Sequence, residues 1–172
     1  NRALSALLIK RDMEIVPFLI NTLKDSKDEY FKTYAAYGLG VLGDKKAVKP
    51  LMDYIKTDSN NQDIIWSAVI ALGMIGDDSK EVKELVGQCV EKNRLTTRIF
   101  AQLSLWALGE ESVAKNLKIS SENRDPLLYV DYAAYYYVTR VLAKKGDSGF
   151  KILLGMVNDV ILDPRMRIAA MC

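Results

Sequence analysis

The stretch "GLGVLG", Gly38 to Gly43, decides the fold. Its spacing matches the G-x-G-x-x-G turn that cradles a dinucleotide, which needs a β-strand before the first glycine and a helix after it. The residues in front, "DEYFKTYAAY", instead carry a helical apolar rhythm, and the glycine stretch continues it. Phe31, Ala35, Leu39 and Leu42 fall on one helix face. In the next copy of the pattern Gly38 becomes Ala71, and in the one after it Ser104, so the position asks for smallness. Glycines inside a helix cost about 1 kcal/mol each against alanine. Close approach of a neighbouring helix is the natural offset at Gly38 and Gly40. Gly43 has a different task, ending the helix with a positive φ. The fingerprint is a coincidence of two structural uses, and no nucleotide is implied.

The copies are visible on self-alignment. "AAYGLGVLGD" (35–44), "AVIALGMIGD" (68–77) and "AQLSLWALGE" (101–110) lie 33 residues apart twice over. Gly43, Gly76 and Gly109 close the three, followed by Asp44, Asp77 and Glu110, and a stretched fourth copy closes at Gly146 and Asp147. Ser26, Ser59, Asn93, Asp125 and Asp163 precede helical patterns and serve as candidate N-caps. After each turn a second helix follows, with Val48, Leu51, Met52 and Ile55, then Val82, Leu85, Val86 and Cys89, then Phe150, Leu153, Leu154 and Val157. Pro17 and Pro50 fall near the first turn of that helix, where a missing N–H does least harm. A lone helix pair cannot shelter its own apolar face, so such units come in arrays. The expected fold is all-α: an α–α superhelix, or solenoid, of about four helix pairs at 26–58, 59–92, 93–124 and 125–162, with partial repeats at 1–25 and 163–172. Both ends fall inside apolar-periodic stretches, which reads as a piece of a longer array.

Composition removes several chemistries. Lys plus Arg number 24 against 22 acids, so no strong field favours nucleic acid or anionic membrane. The absence of histidine removes Ser-His and Cys-His pairs and imidazole metal sites. Two cysteines, Cys89 and Cys172, make neither a disulfide framework nor a four-ligand zinc site, and Cys89 sits where a small core residue belongs. No apolar run approaches the ~20 residues that span a bilayer. No catalytic constellation, metal site or cofactor is expected, and the compartment stays open, with the cytoplasm slightly favoured.

Residues 35–55, "AAYGLGVLGDKKAVKPLMDYI", and residues 68–89 resemble HEAT repeats, specifically the short variety of phycobilin lyases. The family's leading arginine is matched at Arg98 and Arg167, while Lys32 and Ile65 stand in its place elsewhere, and Trp106 replaces the inner glycine. The resemblance implies a right-handed superhelix of antiparallel pairs whose second helices line the concave side. Among enzymes with such repeats, deoxyhypusine hydroxylases need His-Glu pairs for iron, which this chain lacks. Alkylpurine DNA glycosylases use an acid and aromatics in a basic groove. Trp66, Trp106 and Asp53 supply those types, but both tryptophans fall on first helices and no basic strip accompanies Asp53. Bilin lyases leave no residue-level signature here.

The expected function is a non-catalytic scaffold binding another protein along its concave face. The alternatives are a bilin-lyase-type accessory protein that handles a ligand or modifies a partner, and a DNA-binding protein. Lys49, Lys83, Lys115 and Lys151 recur early in the second helices and would form a row along the groove, with Asp53, Tyr54 and Gln88 beside them. Packed helices stand ~8–10 Å apart, a pitch that an acidic side chain at every third residue of an extended segment would meet at ~3.3 Å per residue. Four lysines fall short of the ~6–10 phosphate contacts of strong duplex binding. "YVDYAAYYYVTR" offers Tyr129, Tyr132, Tyr135, Tyr136 and Tyr137, too many for one helix face, as a candidate aromatic surface. Trp66 and Trp106 are expected to pack between units, with Gly73 leaving them room. Array ends cut within a unit would expose apolar surface, so sedimentation at rising concentration should show self-association, and a strict monomer would count against it.

Overall fold

The computed structural model describes residues 12–57, 65–92, 95–117 and 132–158. Tyr129 and the cap candidates Ser59, Asn93, Asp125 and Asp163 lie outside these residues, as do the side chains of Tyr132, Tyr135, Tyr136 and Val157. The described chain is helical with no strand: α1 (Val16–Asp25), α2 (Glu29–Leu42), α3 (Val48–Thr57), α4 (Ile65–Ile75), α5 (Lys80–Lys92), α6 (Leu95–Ala107), α7 (Tyr132–Ala143) and α8 (Gly146–Asn158). "GLGVLG" forms the last turns of α2 and its stop.

Each boundary has a local cause. The closing glycines Gly43, Gly76, Gly109 and Gly146 have φ of 74°, 74°, 96° and 56°, the left-handed conformation that ends a helix. At the first two of these turns the acid that follows accepts from an amide two residues ahead. Asp44 accepts from Lys46 N–H at 2.9 Å, and Asp77 from Ser79 N–H at 3.1 Å. Asp12 does the same for Glu14 at 3.0 Å, so the turn before α1 is built alike. The cap of α2 is not Ser26 but Asp28, whose carboxylate accepts from Tyr30 N–H at 2.8 Å. Ser26 ends α1 through its own N–H to Thr22 and folds the intervening turn by accepting from Asp28 N–H. The aspartate stands next to the helical run and so wins the cap.

The helices form two layers. α2, α4 and α6 lie side by side, and α1, α3 and α5 cover one face of them. Between the layers Ala35, Leu39 and Leu42 meet Leu51, Ile55, Val82, Val86 and Cys89 in one core, the faces that the periodicity marks. Helices of the first layer are packed far more closely than those of the second. At Gly40 a β-carbon would stand 2.7 Å from Ala71 Cα and 3.0 Å from its Cβ, closer than real side chains allow. A stack that is tighter on one side bends toward that side. The inner curve therefore falls on the first helices, not on the second helices as the resemblance implied.

The fourth unit departs from the stack. α7 contacts both α4 and α6 and closes a second core on their other face, with Ile70, Phe100, Leu103 and Trp106 meeting Tyr137, Val138, Val141 and Leu142. α4 is thus covered on both sides, and Ser67 through Leu72 are buried without a break. A helix that is apolar all round belongs in such a place. Of the third unit's expected second helix, the described residues hold a 3-10 turn, Glu111–Asn116, followed by Leu117.

Three expected core residues are exposed. Phe31 is turned half a circle from Gly40 on α2 and so points away from α4. Phe150 and Leu154 point away from α7, because α8 crosses α7 with Gly149 against the Leu142 carbonyl. The two kinds of helical glycine should separate in urea unfolding. Gly40→Ala should destabilise by about 1–3 kcal/mol through overpacking. Gly87→Ala, in open space within α5, should stabilise by about 0.5–1 kcal/mol.

Candidate binding face

The lysines proposed as a row do not make one. Lys49 extends from α3 into solvent but binds Asp53 of its own helix at 3.1 Å. Lys83, half-buried on α5, is held by Glu110 of the next turn at 3.1 Å. Lys115 is exposed on the 3-10 turn, and Lys151 is exposed on α8, which packs on α7 and not beside α5. Gln88 is exposed on α5 among Glu81, Glu84 and Glu91. Tyr54 is a core residue and not a groove contact. Its ring lies under the Lys32 ammonium, 5.7 Å from the ring centre, and its hydroxyl stands 3.5 Å from Glu29 Oε2. Lys56 and Glu81, 3.7 Å apart, tie α3 to α5. The outer layer is a mixed-charge surface laced by ion pairs.

The inner face has a different chemistry. Along α2, Tyr30, Tyr34, Tyr37 and Val41 recur at i, i+4, i+7 and i+11, one stripe opposite Ala35, Leu39 and Leu42. Tyr30 is 78% exposed and Tyr34 48%, whereas Tyr37 and Val41 sink partly into the surface toward Met74. Facing the lower end of this stripe, α7 makes the wall of a cleft of about 380 Å³. Gly40, Val41, Gly73, Met74 and Ala107 form its floor, and Arg140, Lys144 and Lys145 stand on the α7 side.

Tyr137 fixes that wall, and its place corrects the aromatic-surface expectation. It is buried, with its hydroxyl 3.0 Å from Ser104 Oγ, and Ser104 donates to the Val69 carbonyl at 3.0 Å. The serine's single hydrogen goes to the carbonyl, so the tyrosine donates to the serine. Burial pushes the phenol far above its usual range and keeps it a donor. Gly73 makes room for this pair, where the sequence suggested room for tryptophan. Trp66 does pack between units, its ring 5.6 Å from that of Phe100.

A second tie lies at the other end of α7. Glu111 accepts from Trp106 Nε1 at 2.6 Å and from Lys145 Nζ at 2.7 Å, and the Lys145 ammonium lies 5.5 Å from the Trp106 ring centre. Those two hydrogen bonds, first Lys145 and then Trp106, hold the Glu111 carboxyl below its ordinary range. Among the described residues no group of three or more Cys, Asp or Glu side chains could hold a metal ion, and Cys89 is buried. No helix of the described residues is long and apolar enough to cross a membrane.

Stacked antiparallel helix pairs whose first helices stop at left-handed glycines define a helical-repeat solenoid. The HEAT repeats family matches residues 16–106, more than half of the chain, and the chain belongs to that family. HEAT repeats serve generally as protein-interaction scaffolds. No curated protein and no solved structure matches the chain significantly.

The Glu111 tie carries a pH signature. A carboxyl depressed in the folded state adds stability that is full above its ordinary value of 4.5 and is lost as pH falls below it. In a Trp66→Phe background, Trp106 fluorescence should therefore shift on acidification below that value, and Glu111→Gln should abolish the step. A step of equal size in the glutamine variant would refute the assignment.

Proposed function

We propose that this chain is a non-catalytic scaffold that holds a protein segment along the inner face of its first layer, between the α2 stripe and α7. The observation that carries this reading is the exposed Tyr30 and Tyr34 leading, on one helix face, into the cleft beneath α7. Tyrosine buries much area at little entropic cost and is favoured where partners dock. Protein is preferred over nucleic acid because the net charge is only +2 and the exposed flank of α5 carries Glu81, Glu84 and Glu91. The repeat subtype is inferred to be the short phycobilin-lyase-type variety, on the runs at 35–55 and 68–89. Lys49, Lys83, Lys115 and Lys151, with Asp53 and Gln88, then serve solubility and inter-unit pairing on other surfaces.

A photo-crosslinking residue placed at Tyr34 should capture a discrete protein in the cell of origin, whereas the same residue at Gln88 should not. Alanine at the four lysines should leave that product in place. Capture only from Gln88, or loss of capture in the lysine variant, would return the binding site to the outer layer.

A further inference from the structure

Resting on that reading, we propose that the cleft takes a short acidic peptide motif: an aliphatic side chain seated on the glycine floor, with carboxylates next to it meeting the cations at the end of α7. The floor comes from corresponding places in successive units. Val41, Met74 and Ala107 repeat at 33-residue spacing, as do Gly40 and Gly73. Side chains there are absent or apolar, so the pit accepts an apolar group without stranding a polar one. Its volume of about 380 Å³ lies within the range of about 300–1,000 Å³ that ligand sites occupy, enough for one or two side chains of a partner and too little for a folded element.

Charge fixes the second half of the motif. Among the described residues that line the cleft, the charged ones are Arg140, Lys144 and Lys145. Lys145 is paired with Glu111 over the Trp106 ring, so its charge is largely met within the protein and it serves as a fixed side of the cleft. Lys144 is exposed, one position further toward solvent. Cations at the last turn of a helix are favourable to that helix, so the cluster costs α7 nothing to hold.

The stripe fixes the length. Tyr30 to Val41 spans eleven positions of α2, about 17 Å at the helical rise, which an extended chain covers in about five residues. The occupant therefore runs along the tyrosines, buries an aliphatic residue at Val41 and Met74, and places aspartate or glutamate at Lys144. Three cations are few for a nucleic-acid backbone, and the apolar pit gives a phosphate nothing to meet.

The test uses a fluorescein-labelled synthetic peptide of eight residues with leucine at its centre and aspartates next to it. Its controls are the same peptide with serine in place of leucine, the asparagine analogue and a single-stranded oligonucleotide. Fluorescence polarisation with the whole chain should show the leucine–aspartate peptide binding at least about tenfold tighter than either peptide control. Lys144→Glu and Val41→Asp should each reduce that binding by a similar factor, with unchanged helical circular dichroism. Equal binding of the peptide and either peptide control, no loss in Lys144→Glu, or an oligonucleotide that binds tighter than the peptide would each overturn the proposal. Peptide failure alongside a protein cross-linked at Tyr34 would sink the motif and spare the scaffold. Failure of both would sink the scaffold as well.

Discussion

The contact between α2 and α4 at Gly40 and Ala71 sets the geometry of everything around it. Two backbones meet there with only the Ala71 methyl beside them, and the stack draws together on that side. The second helices stand further apart. Curvature follows from this difference in spacing, and so does the identity of the inner surface. The aromatic stripe of α2 and the cleft beside α7 both lie on the tightened side.

α7 shows how an array can be altered without being broken. A fourth first helix placed in register would have continued the layer beside α6. It lies instead across α4 and α6, held by Tyr137 reaching Ser104 at one point and by the Lys145–Glu111–Trp106 cluster at another. Trp106 stands where earlier copies have glycine, and its bulk forbids the close approach seen between α2 and α4. The same substitution that ends regular stacking supplies the indole that the latch uses. The cleft exists because the layer and α7 diverge there.

Much of this was legible in the residues. The four closing glycines, the acids after them and the buried faces of α3 and α5 repeat in sequence as they repeat in space. Gly40 was readable as a close-packing position, because its cost inside a helix demanded an offset. The inner side of the curve was not readable, since it depends on the relative spacing of two layers and not on either pattern alone. The lysines repeat as regularly as the core, but Asp53 and Glu110 already hold two of them. Tyr137 was hidden among five tyrosines, because only tertiary placement tells which one meets a buried serine. The binding stripe did have a signal, a second four-three-four rhythm on the side of α2 away from the core, next to a run of cations after α7.

The double covering of α4 has a consequence for how such a chain can diverge. From Ser67 to Leu72 no direction is left in which a side chain could grow, so drift there must come as coordinated exchange with residues on α2, α6 and α7 together. The outer flank of α5 meets only solvent and long charged neighbours, and can wander freely. Mutational tolerance should thus form a gradient across the thickness of the array, steepest around its central rod, and relatives should keep that rod recognisable after their outer surfaces have become strangers.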